Sequence, residues 1–383
     1  MDSASQSGYT CGMAPLRDPV AVACSAAGIE QRRRACAPSS PVRVGLLVNA
    51  SAGQLKASGQ RSALQAVVAA QPAGSCFVEA TPDLASVRRA LAHLLAVQGC
   101  NVLAVAGGDG TLHHAVNTLA GLDADAHHQT GESPPWPRWL VLSGGTLNIV
   151  ARTLGSHGEP AKRLQQFLTD FSGVRLSRLP ARRVPLLAAG WQGRTPTLGF
   201  VFGSEVAFHA IALYARFGAG YSGLLRFLLE FSRGALVGSD LWQQEGWKLG
   251  PYTGPLAVDG EQIGPYTGIV AATVDLTLAV AAARTIRRQL LQPGMSVRLV
   301  QETEATRLIT LLPAMMRDTP ARGLRDWPSA QQMRLQGPFT LDGELYPLPS
   351  QAPAHTPLIV AMDERRLQAV PGEWARADEP GVL

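Results

Sequence analysis

Hydrophobic positions from Arg43 onward fall into two alternating patterns. RVGLLVN at 43–49 is a short apolar run bounded by polar residues and reads as a buried strand, while Ala57 to Ala70 carries apolar residues at helical spacing. The pair then repeats: SCFVEA at 75–80 reads as a strand, and Asp83 to Gln98 places Leu84, Val87, Leu91, Leu94 and Leu95 on one helical face. NVLAVA at 101–106 precedes a helix over Thr111 to Leu119, and RWLVLS at 138–143 precedes one that begins within Thr146 to Leu154. Strand and helix alternating four times predict an α/β domain, a parallel sheet with helices on both faces and ligands at the carboxyl ends of its strands. Between the third helix and the fourth strand, GLDADAHHQTGESPPWP (121–137) reads as a polar, Pro-rich loop. Its His127 and His128 have no third ligand nearby, so they read as solvated rather than metal-binding.

After about residue 175 the texture changes to short β-like runs separated by Gly and Pro, among them RRVPLLAA, TPTLGFVFG, GPLAVDG, TGIVAATV, MSVRLVQ and FTLDGELYPL. That pattern predicts a second, β-rich, sandwich-like domain. It is interrupted by Glu205 to Leu236, where Phe208, Ile211, Leu213, Phe217, Leu224, Leu225, Phe227, Leu228 and Phe231 alternate with Arg216, Arg226 and Arg233. Core helices satisfy this stretch, and so does the wall of a lipid-binding cleft with arginines at headgroup level. The expected organisation is an unstructured extension or mis-assigned start over 1–42, an α/β domain over 43–160 and a β-rich domain over 161–370. Within the latter, 355–370 is expected to return to the first domain, and 371–383 is expected to be a tail.

Composition narrows the partners. With 383 residues, 46% of them hydrophobic, the chain can bury a sizeable core, and a formal net charge of +5 suits anionic partners such as nucleotide phosphates or acidic lipid surfaces. Basic residues are not interleaved with aromatic ones, which argues against nucleic acid as a partner. The five cysteines at 11, 24, 36, 76 and 100 show no paired CxxC spacing and read as reduced thiols. Arg32, Arg33 and Arg34 follow the mildly apolar Val20 to Ala27, the reverse of the charge order in a secretory signal. The best candidate for a membrane span, Ile269 to Ala283, is broken by Asp275.

Chemistry concentrates at the strand ends. Gly107, Gly108 and Gly110 before the helix at Thr111 form a phosphate cradle, because glycine lets backbone N–H groups approach an anion and a helix N-terminus adds its positive dipole end. A carboxylate there repels phosphate unless a divalent cation or a transferable proton intervenes, so Asp109 reads either as a neighbour of a magnesium-bound nucleotide or as a helix cap. SGGTLN (143–148) supplies Thr146 and Asn148 at the next strand end, and VNASAG (48–53) supplies Asn49, Ser51 and Gly53 at the first. Three such turns converge on one crevice.

GGDGT at 107–111, GTLNIVARTLG at 145–155 and LDGE at 341–344 together resemble the diacylglycerol kinase catalytic-domain superfamily, in particular its soluble bacterial lipid kinases. The superfamily also includes sphingosine and ceramide kinases, and the resemblance covers about residues 43–370. It implies transfer of the γ-phosphoryl of ATP, with Mg2+, to a lipid hydroxyl in a cleft between two domains. The role is one in phospholipid biosynthesis, at the inner, cytoplasmic face of an anionic membrane, with a homodimer left open. By the same resemblance Asn49, Ser51, Gly53, Thr81, Gly107, Gly108, Gly110, Thr111 and Thr146 contact nucleotide, Asp109 belongs to the catalytic site, and Glu344 is the proton acceptor with Asp342 beside it. A second triplet, Asp259-Gly260-Glu261, reads as a hairpin turn, so the base is placed at Glu344.

The chain departs from the family at several positions. Ala50 stands where the family usually has Pro, His114 where it has Glu, Ile149 where it often has Asp, and Pro293-Gly294-Met295 where some members carry an acidic turn with a structural Mg2+. Two other classes compete. NAD kinases share the GGDGT turn, with LGF at 198–200 a faint echo of their second domain, and His114 leaves open a lipid-binding protein without turnover.

Overall fold

A computed structural model of the protein describes residues 18–374 except 50–51, 53–54, 56–58, 146–147, 219–225, 228, 231–232, 235–236, 246–251, 279–282, 287–292, 302–310, 312, 316–317, 352, 354 and 373. The α/β domain begins with two short helices, α1 (Pro19–Ala23) and α2 (Ala26–Ala35). Strands β1 (Val44–Asn49), β2 (Cys76–Thr81), β3 (Val102–Gly107) and β4 (Arg138–Ser143) then lie side by side in the order β2-β1-β3-β4, all parallel. Their helices are α3 (Gln60–Ala69), α4 (Leu84–Ala92, prolonged by a π-turn over His93–Val97), α5 (Asp109–Thr130), α6 (Ile149–Thr153) and α7 (Pro160–Phe171). Alternation along β3 divides the core: Val102, Ala104 and Ala106 pack with Leu64, Leu164 and Phe167 on one face, and Leu103 and Val105 pack with Leu91, Leu112 and Leu119 on the other.

Four boundaries differ from the sequence expectation. Residues 18–42 are folded: Asp18 and Ser25 cap α1 and α2, Ile29 and Cys24 are buried, and Arg32 reaches the buried Asp123 at 2.6 Å. Fully buried Asn101 ties this segment to the sheet by donating to the carbonyls of Ala35 and Pro41 and accepting from the Arg43 amide. The apolar stripe of α5 also continues past Leu119 through Leu122 and Ala126, so the helix absorbs the first half of the expected loop. It stops at Gly131 with φ +77°, and His127 and His128 are exposed in its last turn. Finally, α7 buries Leu164 and Phe167 against the first sheet, so the α/β layer runs beyond the expected boundary at 160. Trp374, expected in a tail, is buried on α7 and donates to Asp170 at 2.7 Å.

The second domain opens with β5 (Arg182–Trp191), β6 (Thr197–Gly199), β7 (Val201–Glu205) and helix α8 (Val206–Tyr214). It continues with β8 (Leu256–Val258), β9 (Glu261–Ile263), β10 (Gly268–Ala272), β11 (Leu276–Leu278), β12 (Ala283–Ile286), β13 (Met295–Val300), β14 (Leu324–Ala330) and β15 (Gln332–Leu335). The hairpin β16 (Phe339–Leu341) and β17 (Glu344–Tyr346) and the long β18 (Leu358–Ala369) complete it. A six-stranded antiparallel sheet, β14-β13-β10-β7-β16-β17, faces the sheet that contains β5, β18, β15 and β8 across a core of Leu187, Phe202, Ile269, Leu299, Met333, Phe339 and Val360. This is a sandwich. Strand β18 joins the domains: its first residues pair with β15 and β5, and Gln368 and Ala369 pair in parallel with Arg138 and Trp139 of β4. One continuous sheet therefore fixes the sandwich to the α/β domain.

Candidate active site

The glycine turn joins β3 directly to α5. Gly108 is the N-cap in an extended conformation and brings no capping side chain, so the first amides of the 22-residue helix converge at its positive dipole end. Such amides suit a phosphate. The flanking glycines serve close backbone contact. A Cβ on Gly107 would sit 2.4 Å from Thr111 Oγ1, and one on Gly145 would sit 2.3 Å from the Cα of Gly108. The amide of Gly144 donates to the Gly107 carbonyl at 2.9 Å, which zips the 107–110 turn to the backbone at 144–145.

Asp109 turns inward. Its carboxylate accepts from the amides of Ile149 at 3.0 Å and Val150 at 3.3 Å, so it caps α6, whose preceding Asn148 has φ +51°. Burial pushes its carboxyl up to about 6, against the opposing pull of those amide bonds. Of the two sequence alternatives, a magnesium neighbour or a cap, the geometry is that of a cap on another helix. Nearby, Asn49 donates to Thr111 Oγ1 at 2.9 Å, and buried Thr81 donates to the Val48 carbonyl at 3.2 Å. Ser51, Gly53 and Thr146 lie outside the described residues.

Glu344 comes from the other domain. Asp342 (φ +55°) and Gly343 (φ +90°) form a two-residue turn that pairs Leu341 with Glu344 across the β16–β17 hairpin. The hairpin tip lands on α5: a Cβ on Gly110 would lie 2.7 Å from Glu344 Oε1. His114 Nε2 lies 3.6 Å from the same oxygen and holds the Glu344 carboxyl below the usual carboxylate range, although burial opposes it. The other triplet has the same local geometry, with Asp259 (φ +48°) and Gly260 (φ +85°) between β8 and β9. Its Glu261, however, is exposed and paired with Arg325 at 2.6 Å, which lowers its carboxyl.

The helix residues that seat the hairpin, His113 and Asn117, were not singled out in the sequence. His113, almost fully buried, lies between Asp342 Oδ2 (2.9 Å from Nδ1) and the Tyr346 hydroxyl (2.7 Å from Nε2). Asp342 Oδ1 accepts from the amides of Phe200 and Val201, each at 2.9 Å. One turn along α5, Asn117 exchanges two 2.8 Å hydrogen bonds with the backbone of Leu198. Burial pushes the Tyr346 phenol up to about 12, with Glu344 adding to the shift. The available signal was polar His113 and Asn117 four residues apart, on a helix whose other inward positions, Asp123 apart, are apolar.

Among the described residues no group of three or more His, Cys, Asp and Glu side chains is arranged to hold a metal, and no helix is long and apolar enough to cross a membrane. The amides at the start of α5 nevertheless fit a phosphate chain.

Burial of Asp109 yields a stability prediction. Its folded-state carboxyl lies above the unfolded value of 3.8, at about 6, so the folded chain binds the extra proton between those values and its stability falls as pH rises through about 6. Asp109→Asn lacks that titration. Relative to wild type, the variant should gain stability on moving from about pH 4.5 to about pH 7.5 in urea titrations. A constant difference would show that Asp109 is ionised throughout.

Residues 43–176 match the diacylglycerol kinase catalytic domain family. No curated protein matches the chain. A structure of a Bacillus anthracis str. Sterne protein, proposed to be a diacylglycerol kinase, is 14% identical with a TM-score of 0.58, over 86% of this chain and 98% of its own. A second structure of a protein so proposed from that strain is 16% identical with a TM-score of 0.59, over 86% of this chain and 96% of its own. A third, of a diacylglycerol kinase from the strain, is 13% identical with a TM-score of 0.54, over 86% and 97%. At these identities the likeness is one of fold. Residues 43–176, with the GGDG turn, its partner turn and α5, belong to the diacylglycerol kinase catalytic-domain superfamily, on a two-domain fold that most of the chain shares with those structures.

Proposed function

We propose that the protein is an ATP-dependent lipid kinase that transfers the γ-phosphoryl group to a hydroxyl of a lipid such as a diacylglycerol or a sphingoid or ceramide-type lipid. The observation that carries this reading is the seat of Glu344 on Gly110: a carboxylate from the sandwich domain sits at the anion-attracting start of α5. Gly108, Asp109, Gly110 and Thr111 offer backbone amides to the nucleotide phosphates, with Asn49 fixing Thr111. Mg2+ bound to the nucleotide would neutralise phosphate charge and so let a carboxylate stand close by. Glu344 accepts the proton of the lipid hydroxyl as its oxygen bonds to phosphorus and the bond to the leaving diphosphate breaks. Asp109 contributes by joining the two turns that shape the site, rather than by meeting the reactants.

The acceptor side is supported by apolar α8, where Phe208, Ile211 and Leu213 follow directly on β7. Leu224, Leu225, Leu228 and Phe231, assigned to the same wall from sequence, lie outside the described residues. With exposed Arg216, Arg226 and Arg233, the segment suits peripheral docking on the anionic inner face of a cytoplasmic membrane. Flotation with vesicles containing an anionic phospholipid should show binding that weakens from low to physiological salt, since each surface arginine contributes on the order of 1 kcal/mol that screening removes. Salt-insensitive binding, or none, would leave this segment as core.

The function is tested by incubating the protein with ATP, Mg2+ and a mixed lipid extract and detecting phosphorylated lipid by mass. Glu344→Gln should retain nucleotide binding by calorimetry and lose about 10²- to 10⁴-fold in kcat. Glu261→Gln, whose side chain pairs with Arg325 on an exposed hairpin, should stay near wild type. Lipid binding without any phosphorylated product would favour a non-catalytic protein. Product formed from NAD instead of lipid would favour a nucleotide kinase.

A further inference from the structure

The replacement of an expected Glu by His114 is placed where it bears on the base. Gly110 and His114 are four residues apart on α5 and so occupy one face on adjacent turns. The bare Cα of Gly110 leaves room for Glu344 Oε1, and the His114 ring approaches the same oxygen at 3.6 Å. The two side chains, 29% and 41% exposed, stand in the cleft rather than in a core, so packing alone does not require them to meet. The other charged and titratable groups around this carboxylate have different partners. His113, its ring edge-on to that of His114, lies between Asp342 and Tyr346, Asp342 accepts from Phe200 and Val201, and Asp109 faces α6.

We propose that His114 is a positioning residue for Glu344, donating toward Oε1 so that the carboxylate stays ionised and aimed at the Gly110 turn, and thereby sets the acidic edge of the pH range in which the base works. The inference rests on the kinase reading and adds a regulator of its general base. A glutamate at 114 would have the opposite effect, placing a second negative charge beside the first and favouring a protonated, non-accepting Glu344. Histidine reverses that sign. The lowered Glu344 carboxyl, with His114 as its largest cause and His113 a smaller one, agrees with this geometry. The proton transfer itself is unchanged: the hydroxyl proton moves to Glu344 while the oxygen's electron pair forms the new bond to phosphorus.

The sign of the test follows. Removing the partner of an acid held low moves its titration upward, so His114→Gln should lose rate on the acidic side and recover toward alkaline pH. The ratio of kcat at acidic pH to that at about pH 8 should fall relative to wild type, His114→Glu should lower it further, and His114→Lys should restore it. A structural role would scale kcat equally at every pH, and that result overturns the proposal. A second readout does not depend on turnover. Carboxyl carbon NMR of glutamate-labelled protein, with the Glu344 signal assigned by its loss in Glu344→Gln, should show that signal titrating at higher pH in His114→Gln. If wild type phosphorylates no lipid, the kinase reading fails while this titration still decides whether the pair exists; an unmoved signal overturns the pairing.

Discussion

The contact of Glu344 with Gly110 is the constraint around which the cleft is organised. A carboxylate reaches the first turn of α5 only because position 110 has no side chain, because β3 passes into α5 with no intervening loop, and because the hairpin carrying Glu344 is held against the same helix. His113 and Asn117 supply that hold from the helix, while Asp342 supplies it from the hairpin through both its oxygens. Chemistry and docking thus share one helix face. A shift of α5 along its axis would misplace the amides and the Glu344 carboxylate together.

The same logic explains the strand ends. The 107–110 turn and the backbone at 144–145 touch, so bare Cα atoms are needed at Gly107 and Gly145, and Asp109 draws α6 in by capping it. Desolvating that carboxyl has a cost, visible in its raised titration, and the cost secures the spacing between the turns. At larger scale, β18 makes the sandwich an extension of the parallel sheet. Two domains built on one sheet, with a helix clamped across them, form a pre-organised cleft.

Local patterns explain what was legible in the sequence. The four strand–helix repeats and the glycine turns are written in short-range periodicity, and, apart from the far end of α5, they reappear within a few residues of the expected positions. The two DGE triplets show where such signals end. Both form the same turn, and in both the aspartate accepts two backbone amides, Asp342 from Phe200 and Val201, Asp259 from Gln331 and Gln332. Only the tertiary neighbour differs, α5 for Glu344 and Arg325 for Glu261. Likewise the segment 1–42 reads as an unstructured extension or mis-assigned start, yet Arg32 within it is buried through a partner, Asp123, ninety-one residues away. Polar residues whose partners lie far along the chain carry little local signature, which is also why His113 and Asn117 escaped notice as members of the site.

The central claim is that phosphates bind at the start of α5, within reach of Glu344. A crystal structure with Mg2+ and a non-hydrolysable ATP analogue measures this most directly. The terminal phosphate should accept from amides of the 108–111 turn, with the Glu344 carboxylate placed so that a hydroxyl standing between it and that phosphate is within about 2.6 to 3.2 Å of the carboxylate. Phosphates seated away from α5, or a Glu344 carboxylate turned out of the cleft in that complex, would contradict the account.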